Sequence, residues 1–238
     1  MTTNLVHYRL DDSVATIRID DGKRNALSPA VFSEIYDAFD QAEADNAIVI
    51  VTGRDDVFSA GFDLNVMNRG GPGAIRMLKM GYSLPARVLN YPRPVIAACN
   101  GHVLAMGVFF MLAADYIIGT RGNFKVSANE VAIGMRMPRV AAAMLEHRLT
   151  PASYQRAVTL AEYFEVEAAM GAGFFDELVE PDALMDRANA LAEEFKALDP
   201  RAHKDSKRQI RAALTRRLRR RLPLDLVDAT LQGMRRRK

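Results

Sequence analysis

Two stretches decide how this chain folds: Phe58-Ser59-Ala60-Gly61-Phe62-Asp63-Leu64 and, farther on, Asn100-Gly101-His102-Val103-Leu104-Ala105-Met106-Gly107. Each puts small residues where the pattern turns from a buried strand into a helix or loop. Such a junction leaves backbone N–H groups without partners in the chain, free to bind an anionic oxygen. Two such donors from distant segments stabilise a negatively charged intermediate without any charged side chain.

The surroundings of these stretches alternate between strand and helix patterns. Ala15, Ile17 and Ile19 alternate with Thr16 and Arg18, the period of a half-buried strand, and Gly22 then turns the chain. Ser28-Pro29 reads as a helix start, serine at the N-cap and proline at the first helical position. Phe32, Ile35, Tyr36 and Phe39 follow on one helical face. Ile48-Val49-Ile50-Val51, Val95 to Ala98 and Tyr116-Ile117-Ile118 are continuous apolar runs, as expected of strands covered on both sides. Gly70-Gly71-Pro72-Gly73 reads as a flexible loop, Thr150-Pro151 opens another helix, and Gly171 to Gly173 ends a second. Beyond Pro181 the pattern is helical, with Leu184, Ala188, Leu191 and Phe195 in step and a break expected at Pro223. The alternation argues for an α/β fold with right-handed crossovers.

Composition narrows the functional class. The chain has 238 residues, 49% of them hydrophobic, enough for one large domain or a domain with an appendage. Its one cysteine, Cys99, excludes an internal disulfide and sits in an apolar run, where it reads as a small buried side chain. The longest apolar run, Val103 to Ala114, is shorter than the roughly 18–20 residues of a membrane span. Met1 to Asp12 is polar and mixed, unlike a secretory leader, so a cytoplasmic protein is expected. His7, His102, His147 and His203 show no ligand spacing with Cys or carboxylates, so no metal is expected. The net charge of +3 hides a division. From Arg201 onward fourteen Lys or Arg face three Asp, whereas the preceding residues hold eighteen basic and twenty-six acidic side chains. A basic tail on an acidic body suits nucleic acid, a phosphate-bearing ligand, a neighbouring subunit or simply a solvated helix face.

Together with Arg24-Asn25-Ala26-Leu27-Ser28, Pro92-Arg93-Pro94-Val95-Ile96-Ala97 and Ala114-Asp115-Tyr116, the two opening stretches resemble the crotonase (enoyl-CoA hydratase/isomerase) superfamily. The likeness runs roughly from Val14 to Val179. It implies a spiral of ββα units over residues 1–190 and a basic helical layer over 191–238 that packs neighbouring subunits into a homotrimer or dimer of trimers. It assigns the oxyanion donors to the amides of Phe62 and Met106. At the second donor the family carries three glycines, where this chain has Ala105-Met106-Gly107; a backbone donor survives that change, and the methionine narrows the acyl pocket. CoA would lie along Ala26, Leu27, Ala60, Asp63 and Leu64, with Lys23 and Arg24 near enough in sequence for a phosphate. The loop at Gly70 to Gly73 would cover the acyl pocket, and Asp115 would be structural.

Two positions bear on the reaction. Family hydratases carry a glutamate three residues after the second donor; here that position is Phe109, in the acyl pocket, and a phenyl ring can neither hold water nor relay its proton. Counting back from Gly134 puts the family's other carboxylate at Glu130, in an apolar stretch expected to raise its pKa towards neutrality. One carboxylate and an oxyanion hole suffice for a Δ3–Δ2 enoyl-CoA isomerase, which needs no cofactor beyond the CoA of its substrate. Related dehalogenases and dienoyl isomerases need an aspartate that Val131 to Val140 lacks; the position holds Pro138. The alternatives are a 2-enoyl-CoA hydratase (a lyase) using Glu130 alone, or a non-catalytic binder of acyl-CoA or nucleic acid. Arg216-Arg217-Leu218-Arg219-Arg220-Arg221 motivates the nucleic-acid version, and the lack of interleaved aromatics argues against it.

Overall fold

The computed structural model describes residues 4–235. Strands β1 (Val6–Asp11) and β2 (Val14–Ile19) form an antiparallel hairpin, and a short β3 (Ala26–Leu27) leads into helix α1 (Pro29–Ala44). Ser28 caps α1 by accepting the Val31 amide at 3.3 Å, with Pro29 opening the helix. Phe32, Ile35 and Phe39 are fully buried, so α1 lies on the core by the face its periodicity foretold.

Next come β4 (Ile48–Thr52), β5 (Val57–Ser59), β6 (Gly61–Phe62), α2 (Leu64–Arg69) and α3 (Gly71–Leu89). They are followed by β7 (Val95–Cys99), β8 (His102–Leu104) and α4 (Met106–Met111), then β9 (Tyr116–Thr120), β10 (Lys125–Ser127) and α5 (Arg139–Arg148). The chain closes through α6 (Pro151–Thr159), β11 (Phe164–Glu165), α7 (Val166–Ala172), β12 (Glu177–Val179), a short 3₁₀ turn, α8 (Leu184–Lys196) and α9 (Pro200–Arg235).

The six-stranded sheet runs β1-β2-β4-β7-β9-β12, parallel except for the opening hairpin, and the four-stranded sheet runs β11-β10-β8-β5. Hence β4, β7 and β9 lie side by side in one sheet while β5, β8 and β10, which follow them in sequence, lie side by side in the other. Each pass contributes a strand to both sheets and then a helix, which is the spiral of ββα units. The unbroken apolar runs follow from this: on β4, Val49 and Val51 face the main core, whereas Ile48 and Ile50 face a second one completed by Leu184, Ala188 and Leu191 of α8. Each buried Ile, Val or Leu among them is worth about 1.5–3 kcal/mol.

Two expectations are corrected. Gly70-Gly71-Pro72-Gly73 is no loop: α2 runs to Arg69, Gly70 and Gly71 at φ +66° and +71° turn the chain, and Pro72 lies in the first turn of α3, where its missing N–H costs nothing. Nor does Pro223 break the last helix, which continues to Arg235. Contacts on either side of Pro223 hold it: α9 packs on α3 and α5, Arg217 pairs with Glu146, and Asp225 is bonded to the start of α5. Residues 236–238 of the basic tail lie outside the described residues, and residue 190, taken as the core boundary, falls inside α8.

Candidate active site

The two opening stretches meet. Gly61, at φ +87°, lies so close to the second stretch that an added Cβ would sit 2.7 Å from the Ala105 Cβ and 3.2 Å from the Met106 nitrogen. At Gly107 a Cβ would be 2.8 Å from that of Ser59. Glycine is required at both places for the backbones to approach. Met106 is the first residue of α4, so its amide has no acceptor within that helix. Phe62 pairs with Leu27 in the short β3–β6 sheet, where the next amide, Asp63, donates back to Leu27 at 3.3 Å. Successive amides of extended chain point to opposite sides, which turns the Phe62 N–H away from β3.

Residues quoted in the motifs but given no bonding role by the sequence hold this junction. Asn25, buried at φ +53°, donates through Nδ2 to Ile19 at 2.8 Å and to Phe58 at 3.2 Å, and its own carbonyl accepts the Ser59 hydroxyl at 2.8 Å. Asn100 does the same for the second stretch, accepting the Gly53 amide at 2.9 Å and donating to Arg54 at 2.8 Å. Ala105 has φ +48° and ψ −122°, backbone that a residue with a Cβ rarely adopts, and is held there by its N–H on the Ser127 carbonyl at 2.8 Å. Its strain, of order 1–3 kcal/mol, lies immediately before the Met106 amide. The substitution of alanine for a family glycine was the available signal.

Glu130 sits in the connection between β10 and α5 and is 4% exposed. Burial raises its carboxyl from 4.5 to about 7, a bond to its own backbone opposing the shift, and Oε2 is buried without a hydrogen-bond partner. A carboxylate so placed is costly when ionised and ready to take a proton. Tyr82 of α3 lies beside it: burial and the Glu130 charge both push its phenol well above the usual range, and its ring stands edge-on to Phe62 at 5.6 Å. Tyr82 thus touches the Phe62 segment and feels the charge of Glu130, a juxtaposition nothing in the spacing announced.

The other expected site residues divide into interior and rim. Met106 and Phe109 are buried on α4, and Leu27 is fully buried with them, its side chain away from any surface. Ala26 and Ala60 are partly exposed, Asp63 caps α2 by accepting the Asn65 amide at 2.8 Å, and Leu64 is 57% exposed. Lys23 is exposed, and Arg24 pairs with Asp56 at 3.0 Å. Cys99 is buried, its thiol pushed up by desolvation. Among the described residues no three His, Cys, Asp or Glu side chains gather as a metal ligand set, and no helix is long and apolar enough to cross a membrane.

Comparison with known proteins agrees with this geometry. A family described as enoyl-CoA hydratase/isomerase matches residues 9–232. An enoyl-CoA hydratase/isomerase family protein from Pseudomonas syringae superposes with a TM-score of 0.91 at 42% identity, covering 93% of this chain and 96% of that one. The enoyl-CoA hydratase ECHA3 from Mycobacterium marinum gives 0.89 at 40% identity, over 93% and 97%. The enoyl-CoA isomerase of Mycobacterium tuberculosis gives 0.90 at 39% identity, over 94% and 98%. The matched span takes in both amide-bearing stretches, Glu130 and nearly all of the last helix, and with it this chain belongs to the enzymes of the enoyl-CoA hydratase/isomerase family.

Proposed function

We propose that the enzyme converts 3-enoyl-CoA into 2-enoyl-CoA, with Glu130 as the single base. The carboxylate of Glu130 takes a proton from carbon 2 of the thioester. The electron pair passes to the thioester oxygen, and the resulting enolate is held by the amides of Phe62 and Met106. The same carboxyl returns its proton to carbon 4 as the double bond settles between carbons 2 and 3, so nothing is gained or lost. One observation carries this reading: the site region has a buried carboxyl with an uncommitted oxygen, while the position of a second carboxylate holds the buried ring of Phe109. A proton shuttle needs one carboxyl; the addition of water is served by two.

Incubating the protein separately with 3-enoyl-CoA and 2-enoyl-CoA and identifying the products tests this. Formation of 2-enoyl-CoA from the first without hydration of the second supports the isomerase. Formation of 3-hydroxyacyl-CoA as the main product overturns it in favour of a hydratase, the activity named for the Mycobacterium marinum relative.

The CoA moiety is assigned to the rim formed by Ala26, Ala60, Asp63 and Leu64, with the acyl chain directed towards Met106 and Phe109. CoA thioesters should therefore raise Tm more than the free acids of equal chain length; equal shifts would remove the CoA assignment. A homotrimer or dimer of trimers is the assembly proposed. Leu224, Val227 and Leu231 are 52%, 58% and 52% exposed on α9, an apolar stripe that suits a second copy. Light scattering that finds only a 26.4 kDa species would exclude it.

A further inference from the structure

Helix α5 begins without a cap of its own, because Pro138 precedes it and offers no side-chain acceptor. The acceptor comes from the far end of the chain. Asp225 of α9, 4% exposed, takes the Arg139 amide on Oδ1 at 3.0 Å and the Val140 amide on Oδ2 at 2.8 Å. The Arg139 guanidinium adds a 3.1 Å bond to the same carboxylate. Asp228, farther along α9, pairs with both Arg139 and Arg136. A carboxylate at this place meets amides that the helix leaves unpaired, at the positive end of its dipole.

What α5 follows gives the arrangement its meaning. Glu130 lies in the connection between β10 and α5, where its carbonyl accepts the amides of Ile133 at 3.2 Å and Met135 at 2.9 Å. That tight turn enters from a strand fixed in the sheet and leaves through Arg136 to Arg139, the segment gripped by α9. The charged and titratable groups of the elements packed here are Tyr82 from α3, Arg136 and Arg139 at the entry to α5, and Asp225 and Asp228 from α9; Glu130 and Asp225 each oppose ionisation of Tyr82, which puts both within electrostatic reach of that phenol.

We propose that Asp225 is a positioning residue for Glu130: by capping α5 it holds the Glu130 turn in its apolar seat, making the C-terminal helix part of the active-site framework. The inference rests on the reading of Glu130 as the base. Its decisive measurement does not depend on turnover. Infrared difference titration of the full-length protein follows the Glu130 carboxyl, identified as the band absent from Glu130→Gln. In the unaltered protein its midpoint is expected at about 7. In Asp225→Ala and in the milder Asp225→Asn, water reaches the loosened turn and the midpoint falls by about one unit or more towards the ordinary carboxyl value. In the same variants kcat on 3-enoyl-CoA falls about 10-fold with KM little changed, as for a displaced catalytic group.

Asp228→Asn separates position from charge, since it removes a carboxylate from the same guanidinium without touching the α5 amides. It should move the midpoint by less than half as much as Asp225→Asn. An unchanged midpoint in both Asp225 variants, or an equal shift in Asp228→Asn, overturns the proposal. Failure of the base reading has a different signature, full isomerase activity in Glu130→Gln, and the infrared midpoints would still decide whether Asp225 positions this turn.

Discussion

Asp115 and Glu130 are both carboxyls drawn into the protein, and their surroundings are opposite. Asp115, its side chain 17% exposed, accepts the Val95 amide at 2.7 Å, Lys207 at 2.6 Å and Arg211 at 3.0 Å. It ties α9 to the start of β7, and both of its oxygens are taken up by donors. Glu130 is 4% exposed and keeps an oxygen with no hydrogen-bond partner. The first arrangement is how a fold holds a charge; the second is how a site keeps one available. Reactivity here follows from what is withheld from a group as much as from what is placed beside it.

Asp115→Ala should produce the largest effect. It strands Lys207 and Arg211, whose side chains are only 4% and 10% exposed. Unpaired buried charge costs about 3–5 kcal/mol, which denaturant unfolding would show as a lower midpoint with an unchanged slope. A loss below about 1 kcal/mol would mean that the two cations find solvent, and the contrast would collapse.

Glu130→Gln should act in the other direction on stability. Raising the carboxyl from 4.5 to about 7 makes the folded state bind more protons than the unfolded state between those values. The stability tied to the protonated group is therefore complete below 4.5 and lost as pH rises through about 7. The difference amounts to about 3 kcal/mol, so at pH 8 Glu130→Gln should unfold at higher denaturant than the unaltered protein, and at pH 4 it should not. Isomerisation should fall about 10²-fold or more in the same variant. A variant equally stable at both pH values would show that Glu130 is solvated.

The pH dependence of kcat sharpens the same contrast. A base must be ionised to act, so kcat should rise with pH about a midpoint near 7, and removing Asp115 should leave that midpoint in place. Phe109→Glu gives the smallest and most specific effect. A second buried carboxylate would raise the apparent pKa of the pair by about one unit, visible as a shifted kcat profile, and would bring measurable hydration of 2-enoyl-CoA. A profile that stays in place would put position 109 out of reach of Glu130.

The fold was largely legible, and the reasons are local. The runs at Ile48 to Val51 and Val95 to Ala98 are strands because apolar cores lie on both faces, and Ser28-Pro29 starts a helix by its own chemistry. At Pro223 and at Gly70 to Gly73 the sequence pattern misleads, because packing on α3 and α5 and a tolerant first turn override local preference. At the site, the positions of Phe62, Met106, Phe109 and Glu130 could be placed by resemblance, since each sits at a fixed spacing from a motif. Tyr82 and Asp225 could not, and Asn25 and Asn100, though within the motifs, showed no role there, because the importance of all four lies in what the fold brings next to them.

The contact of Gly61 with Ala105 has a consequence for divergence. The separation of the Phe62 and Met106 amides is set where a residue without a side chain abuts one with a single methyl, backbone against backbone. The side chains of Phe62, Met106 and Phe109 project elsewhere, into the aromatic and aliphatic interior. Under the proposed reaction, such a lineage can exchange those side chains and so change the length or bulk of acyl chain it accepts, while the gauge that fits the enolate oxygen stays fixed.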